Sequence, residues 1–136
     1  MKLTNMEALQ ASGALARLME MDLPVKASLD IAIISNLVDV QTKAYGQVLQ
    51  SLYKKYSIKA ESQEKGGVQF ICTLEGENEE ATAKLRQENL EAFSEKLNDL
   101  LEANTGDMQF KKIQLPSDIT IKPEILKSLT EFVEIG

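Results

Sequence analysis

The 136-residue chain contains no histidine, no tryptophan and only one cysteine. Histidine is the commonest general base and metal ligand, so its absence excludes a Ser-His-Asp triad, a Cys-His pair and the usual zinc sites. A single cysteine allows no disulfide within the chain. We therefore expect no catalytic residues, no metal site and no cofactor, and a protein that is not an enzyme; an enzyme that uses carboxylates and a divalent ion such as magnesium or calcium is the alternative that these absences leave open.

Basic residues are also in short supply, with 15 Lys and Arg against 21 Asp and Glu and a net charge of −6. Neutralising nucleic-acid phosphates needs an excess of Lys and Arg, so we expect no direct contact with nucleic acid. The charge is unevenly spread, because the segment from Glu75 to Asp107 holds ten acids and three bases, a net of −7.

Long apolar runs are missing as well. The longest, Ile31 to Ile34, is far shorter than a membrane span, and the first residues lack the basic and apolar regions of a secretory signal. We expect synthesis in the cytosol and no membrane partner. With 43% hydrophobic and 26% charged residues, the composition is typical of one globular domain over residues 1–136.

The first third of the chain has a clear helical pattern. Thr4 and Glu7 have the spacing of a capping box, and we expect the helix that begins there to end before Pro24. A second, long helix is predicted over 24–56. Its apolar stripe follows a 4-3-4-3 rhythm through Ala27, Ile31, Ile34, Val38, Gln41, Tyr45, Val48 and Leu52. Further apolar residues in its first half, Leu29, Ile33, Leu37 and Val40, predict burial nearly all round.

The remaining pattern predicts an α+β fold. We expect a strand at Val68 to Leu74, an acidic helix over 78–103 that Asn78 caps, and a second strand at Met108 to Leu115 that pairs with the first. Ile119 to Ile121 is a candidate third strand, and Pro123 opens a short helix. The expected architecture is two long helices and a shorter N-terminal helix sharing one core with a small two- or three-stranded antiparallel sheet and a short C-terminal helix.

The outer half of the 24–56 helix is the first candidate interface. At about 1.5 Å per residue this helix is roughly 50 Å long, more than one domain of this size covers, so we expect it to pack on another subunit. The interface residues predicted are Tyr45, Val48, Leu52, Tyr53 and Tyr56. The neighbouring lysines and tyrosines also fit an ordinary helix end, and fit nucleic-acid binding less well.

The second candidate surface is the acidic helix. Five carboxylates recur on one of its faces, at Glu88, Glu91, Glu95, Asp99 and Glu102. Such a face can attract a basic partner, although the solvent side of any amphipathic helix shows the same pattern.

Elsewhere, Cys72 is expected to be a buried and inert thiol, and Asp30 and Asp39 to be exposed charges.

The order of these features has a parallel in known proteins. Leu23-Pro24-Val25-Lys26 opens the long helix and Tyr53-Lys54-Lys55-Tyr56 ends it. Asn89-Leu90-Glu91 then leads to Phe110-Lys111-Lys112-Ile113 and to the short helix at Pro123. In this order the chain resembles small uncharacterised proteins encoded by tailed phages of Gram-positive bacteria, over nearly its whole length. The resemblance implies a phage-related setting and supplies no site residues.

Two functions follow as expectations. The first is a non-enzymatic phage-type protein-binding or assembly component that forms a homo-oligomer through helix 24–56 and binds itself and a phage structural or host protein. The second is an inhibitor of a host defence or DNA-processing protein, bound through the acidic helix. Both place the protein in the cytoplasm of the bacterial host, and the first also allows a place in the virion.

Overall fold

The computed structural model describes residues 2–135, with the side chains of Thr105 and Asp107 left out, as four helices and six short strands. In chain order these are β1 (Lys2–Thr4), α1 (Asn5–Met19), α2 (Val25–Tyr56), β2 (Ile58–Ser62), β3 (Val68–Cys72), α3 (Glu79–Glu102), β4 (Asn104–Asp107), β5 (Ile113–Leu115), α4 (Pro123–Leu129) and β6 (Val133–Ile135). The α+β class and the order of the helices predicted from the sequence are confirmed.

The chain divides into two compact units. Unit 1 consists of the residues up to Ala44 together with those from Glu102 onward, and unit 2 runs from Tyr45 to Leu101. Each unit has a hydrophobic cluster of its own, where the sequence suggested one shared core. Helix α2 contributes its first part to unit 1 and its last part to unit 2. The assignment of one domain to 1–136 stays a prediction.

The start of unit 1 is fixed by polar contacts. The Thr4 hydroxyl accepts from the Glu7 amide at 3.2 Å, and a Glu7 carboxylate oxygen accepts from the Thr4 amide at 3.0 Å, which confirms the capping box. The buried Gln41 amide donates to the Leu3 carbonyl at 2.9 Å and to the Asn5 side-chain oxygen at 3.2 Å. These bonds attach β1 to α2, and the alanines and leucines of α1 join the unit 1 cluster together with residues of β5 and α4.

The strands form three separate pairs. β1 pairs antiparallel with β4, and β2 pairs antiparallel with β3. β5 pairs with β6 in parallel, with Ile113 opposite Val133 and Leu115 opposite Ile135. The prediction of one small antiparallel sheet is therefore wrong in its pairing. A parallel pair needs a long crossover connection, and α4 lies in the connection between β5 and β6.

Three local predictions are corrected by this pairing. The polar segment after Tyr56, for which the sequence predicts no strand, supplies β2, the partner of β3. The predicted strand at Met108 to Leu115 shrinks to Ile113–Leu115 and does not pair with β3. Ile119 to Ile121 is not a strand, although both isoleucines pack against the unit 1 cluster. Polar β2 residues face solvent on this small hairpin, so apolar alternation did not reveal the strand.

Unit 2 is built around the β2–β3 hairpin and α3. Gly66 and Gly67 turn the hairpin with φ of 89° and 83°, values that favour glycine because it has no Cβ. The Asn78 side chain accepts from the Ala81 amide at 3.1 Å and caps α3, as predicted. Phe93 on α3 is fully buried and packs with Ile58 and Cys72.

Candidate protein interface

Within unit 1, helix α2 has one buried face. Ala27, Ile31, Ile34, Val38 and Gln41 are all buried there, as the 4-3-4-3 rhythm predicted. Four of the five belong to the unit 1 cluster, and Gln41 binds β1 and Asn5. The first half of the helix is therefore held in unit 1 by a single face.

A second apolar face of the same segment lies in solvent. Val25 is 86% exposed, Leu29 59%, Ile33 49% and Val40 72%. At 100° per residue these four side chains lie about 150° around the helix from the buried face. The prediction that this half is buried nearly all round is therefore wrong. An apolar face this exposed is a feature of binding surfaces.

The predicted interface on the second half of α2 is largely used inside unit 2. Leu52, Tyr53 and Tyr56 are partly buried and pack against the unit 2 cluster, while Val48 is exposed and Tyr45 partly buried. The Tyr53 ring stacks on Phe93 with centroids 5.6 Å apart and lies 6.3 Å from Phe70. In this half, the apolar surface that remains open centres on Val48.

Burial changes the pKa of Tyr45, which lies in the second half of α2. Partial burial raises the pKa of its phenol above the ordinary value, because the charged form loses hydration. The Tyr53 phenol raises the pKa of Tyr45 further, since both groups become negative at high pH. At neutral pH the Tyr45 phenol is therefore protonated and uncharged.

The acidic face of α3 is fully open. All five predicted contact residues, Glu88, Glu91, Glu95, Asp99 and Glu102, are exposed. Within residues 2–135 none of them lies within ion-pair distance of a Lys or Arg, and Glu91 accepts one hydrogen bond from Gln87 at 3.4 Å. Their charges are thus available to a partner in solution.

Outside these two surfaces, the described chain has one buried cysteine and a groove lined in part by charged residues. Cys72 is buried, as predicted, and its thiol donates to the Tyr56 carbonyl at 3.5 Å. A groove of about 560 Å³ in unit 1 has Arg17, Glu20 and Lys122 among its lining residues. Over residues 2–135 no three cysteine or carboxylate side chains come together in a way that could hold a metal ion.

None of the helices in the described part of the chain is long and apolar enough to cross a membrane. Comparisons with protein-family models, with curated proteins and with solved structures find no match for this chain.

The sequence contains a signal for the exposed face of α2. Val25, Leu29, Ile33 and Val40 form a second apolar stripe beside the buried one. Two apolar stripes on one helix fit either burial on all sides or one buried face and one interface. Helix α1 is the one other long helix of unit 1, and the resulting cluster covers a single face of α2.

Proposed function

We propose that the protein is a non-enzymatic binding or assembly component that associates with copies of itself through helix α2. The observation that carries this proposal is the exposed apolar face at Val25, Leu29, Ile33 and Val40. Covering it removes apolar surface from water, the main favourable term in protein association. The absence of histidine from the sequence supports a binding role over a catalytic one.

The proposed setting is the one that the resemblance implies. The chain acts in the cytoplasm of the bacterial host, or as a part of the virion, and binds a phage structural or host protein in addition to itself. Its self-association supplies repeated copies of the same surface, which is what an assembly component needs.

Sedimentation velocity at micromolar concentrations tests self-association. We expect the wild-type chain to sediment as an oligomer and Ile33→Glu to sediment near the 15.1 kDa monomer. Each copy loses an apolar contact and gains a charge in the interface, so we expect the dissociation constant to rise by at least about 100-fold. The Ile33 side chain is half exposed, so the free chain tolerates the charge.

Two companion variants make the result specific. Gln50→Glu adds the same charge at an exposed polar position of α2 and should leave the oligomer intact. Val48→Glu examines the second half of the helix, where the sequence predicted the interface. A wild-type chain that is monomeric throughout the concentration range contradicts the proposed function.

The acidic face of α3 carries the second candidate function, inhibition of a host defence or DNA-processing protein. Five exposed carboxylates without Lys or Arg partners favour it, because such a row steers a basic surface toward the helix. Capture of a host protein from lysate should weaken as salt rises and should be lost in the triple variant Glu88→Lys, Glu91→Lys, Glu95→Lys. If neither higher salt nor the triple variant changes the capture, this candidate function is wrong.

A further inference from the structure

The outer edge of strand β2 lacks a partner strand. Over the described residues, β2 pairs with β3 alone, in a sheet of two strands, and Lys59 to Ser62 are all exposed. The outer edge of such a sheet presents a row of backbone N–H and C=O groups, and this row can pair with a strand of another chain. The β2 edge is therefore a candidate interface within unit 2, separate from the exposed face of α2.

The register of the hairpin identifies the β2 residues whose backbone groups point outward. The Thr73 amide donates to the Ser57 carbonyl at 2.8 Å, and the Gln63 amide donates to the Gly67 carbonyl at 3.2 Å. Hydrogen-bonded and non-hydrogen-bonded pairs alternate along an antiparallel ladder, so the odd-numbered residues of β2 bond to β3. The residues that direct their N–H and C=O groups away from β3 are therefore Ile58, Ala60 and Ser62.

We propose that β2 pairs antiparallel with β2 of a second copy, about a two-fold axis that passes beside Ala60. In this register Ala60 lies opposite Ala60 of the other copy, and Lys59 lies opposite Glu61 of the other copy. The two hairpins then form one four-stranded antiparallel sheet. This contact does not involve the exposed face of α2, so the inference does not rest on the proposed association through that helix.

The charges of β2 favour a second copy of the same strand as the partner. Lys59 and Glu61 lie on the face of the hairpin opposite to the buried Ile58, with Nζ and Oε1 3.9 Å apart and side chains 65% and 46% exposed. A strand that carries a positive and then a negative charge meets the reverse order in an antiparallel copy. Each lysine therefore gains a glutamate directly across the interface, and each glutamate gains a lysine.

Charge also selects one register. Outward-pointing backbone groups must face one another, so the strands can slip only in steps of two residues. A slip in one direction places Lys59 opposite Lys59 of the other copy, and a slip in the other direction places Glu61 opposite Glu61. An in-register parallel pair also places like charges side by side. Like charges directly opposite one another are destabilising, so the antiparallel register centred on Ala60 is preferred.

The contact is small and therefore weak by itself. Its hydrogen bonds replace hydrogen bonds to water, and its ion pairs are exposed, so each contributes little net stability. We expect a dissociation constant on the order of 1 mM for the isolated pair. This value leaves the Ile33→Glu chain monomeric at micromolar concentrations. The pair becomes effective where other contacts hold copies together, because linkage raises their local concentration.

Disulfide trapping tests the register, because a covalent link accumulates even from a weak pair. The variants are made in the Ile33→Glu background, so that the proposed α2 contact does not contribute. Ala60→Cys lies opposite itself in the proposed pair, with Cα atoms about 5.5 Å apart, which a disulfide can bridge. Ser62→Cys is the matched control on the same exposed edge, where equivalent cysteines are about 14 Å apart. Cys72 is buried in both.

Under mild oxidation we expect the Ala60→Cys chain to form linked dimers at least about tenfold faster than the Ser62→Cys chain. Non-reducing gel electrophoresis measures the two rates. Equal rates, or no link in either variant, overturn the β2 pair. That result leaves the proposed function standing if the wild-type chain still sediments as an oligomer at micromolar concentrations.

A charge exchange tests why the partner is a second copy. Added to the Ala60→Cys chain, Lys59→Glu places two glutamates opposite one another and should slow link formation at least about threefold. The double change Lys59→Glu, Glu61→Lys restores opposite charges across the interface and should recover the original rate. Both positions are exposed, so the fold tolerates the changes. A double variant that links as slowly as the single one overturns the proposed self-complementarity.

Discussion

At the scale of single residues, two glycines have opposite surroundings. Gly46 lies inside α2, and a Cβ added there would meet nothing within 4 Å. At Gly76 an added Cβ would lie 2.5 Å from the Thr82 hydroxyl. That hydroxyl donates to the Asn78 carbonyl at 2.7 Å, so it cannot move without a loss. Gly46 is thus replaceable, whereas Gly76 is required by a close approach.

We predict that Gly46→Ala raises the free energy of unfolding by about 0.5–1 kcal/mol, because alanine restricts the unfolded chain and favours the helix. Gly76→Ala is the matched variant and should lower the same quantity, since it displaces the Thr82 hydroxyl. Urea denaturation followed by circular dichroism measures both. If both variants change the free energy of unfolding by the same amount in the same direction, the surroundings described for the two glycines are wrong.

Residues whose partners are near in sequence could be predicted from the sequence. The capping box at Thr4 and Glu7 and the cap at Asn78 involve atoms three residues apart, and both are confirmed. The burial of Gln41 was predicted from its place in the stripe, but its hydrogen bonds were not. Its partners lie 38 and 36 residues away, and no local pattern specifies such a pairing.

At the scale of elements, helices were predicted more closely than strand pairs. The predicted long helix over 24–56 is found at Val25–Tyr56, because its 3.6-residue periodicity is repeated over many turns. The pairing of Ile113–Leu115 was wrong, since its partner Val133–Ile135 is a three-residue strand with little pattern of its own. Strand pairing depends on distant residues, which hydrophobic alternation does not identify.

Helix α2 also shows what hydrophobic periodicity alone cannot predict about an interface. The pattern correctly identified the apolar residues of its first half but could not assign them to a core or to a surface. That assignment depends on how many other elements are available for packing. In its second half the same limit applies to Tyr53 and Tyr56, which pack within unit 2.

At the scale of the whole molecule, the two hydrophobic clusters imply that separate sets of buried residues stabilise the two units. Phe93 in unit 2 and Leu15 in unit 1 are both fully buried. We predict that Phe93→Ala lowers the stability of unit 2 by about 3–5 kcal/mol and that Leu15→Ala lowers that of unit 1 by about 2–5 kcal/mol.

Hydrogen exchange measured by mass spectrometry shows which unit each variant destabilises. Phe93→Ala should speed exchange most in the β2–β3 hairpin, and Leu15→Ala most in the paired strands β1 and β4. Equal acceleration in both units by either variant contradicts separate stability, and it favours the single domain expected from the sequence.

Unit 1 combines residues that precede unit 2 in the sequence with residues that follow it, whereas unit 2 is one continuous stretch. During translation, everything that unit 2 needs has been made once Leu101 leaves the ribosome. The residues of β5 and α4 that share a cluster with the alanine and leucine face of α1 follow Leu101 in the sequence, so they are synthesised after unit 2. Nascent chains thus carry an incompletely covered apolar helix until β5 and α4 have been made, the interval in which ribosome-associated chaperones have a surface to hold.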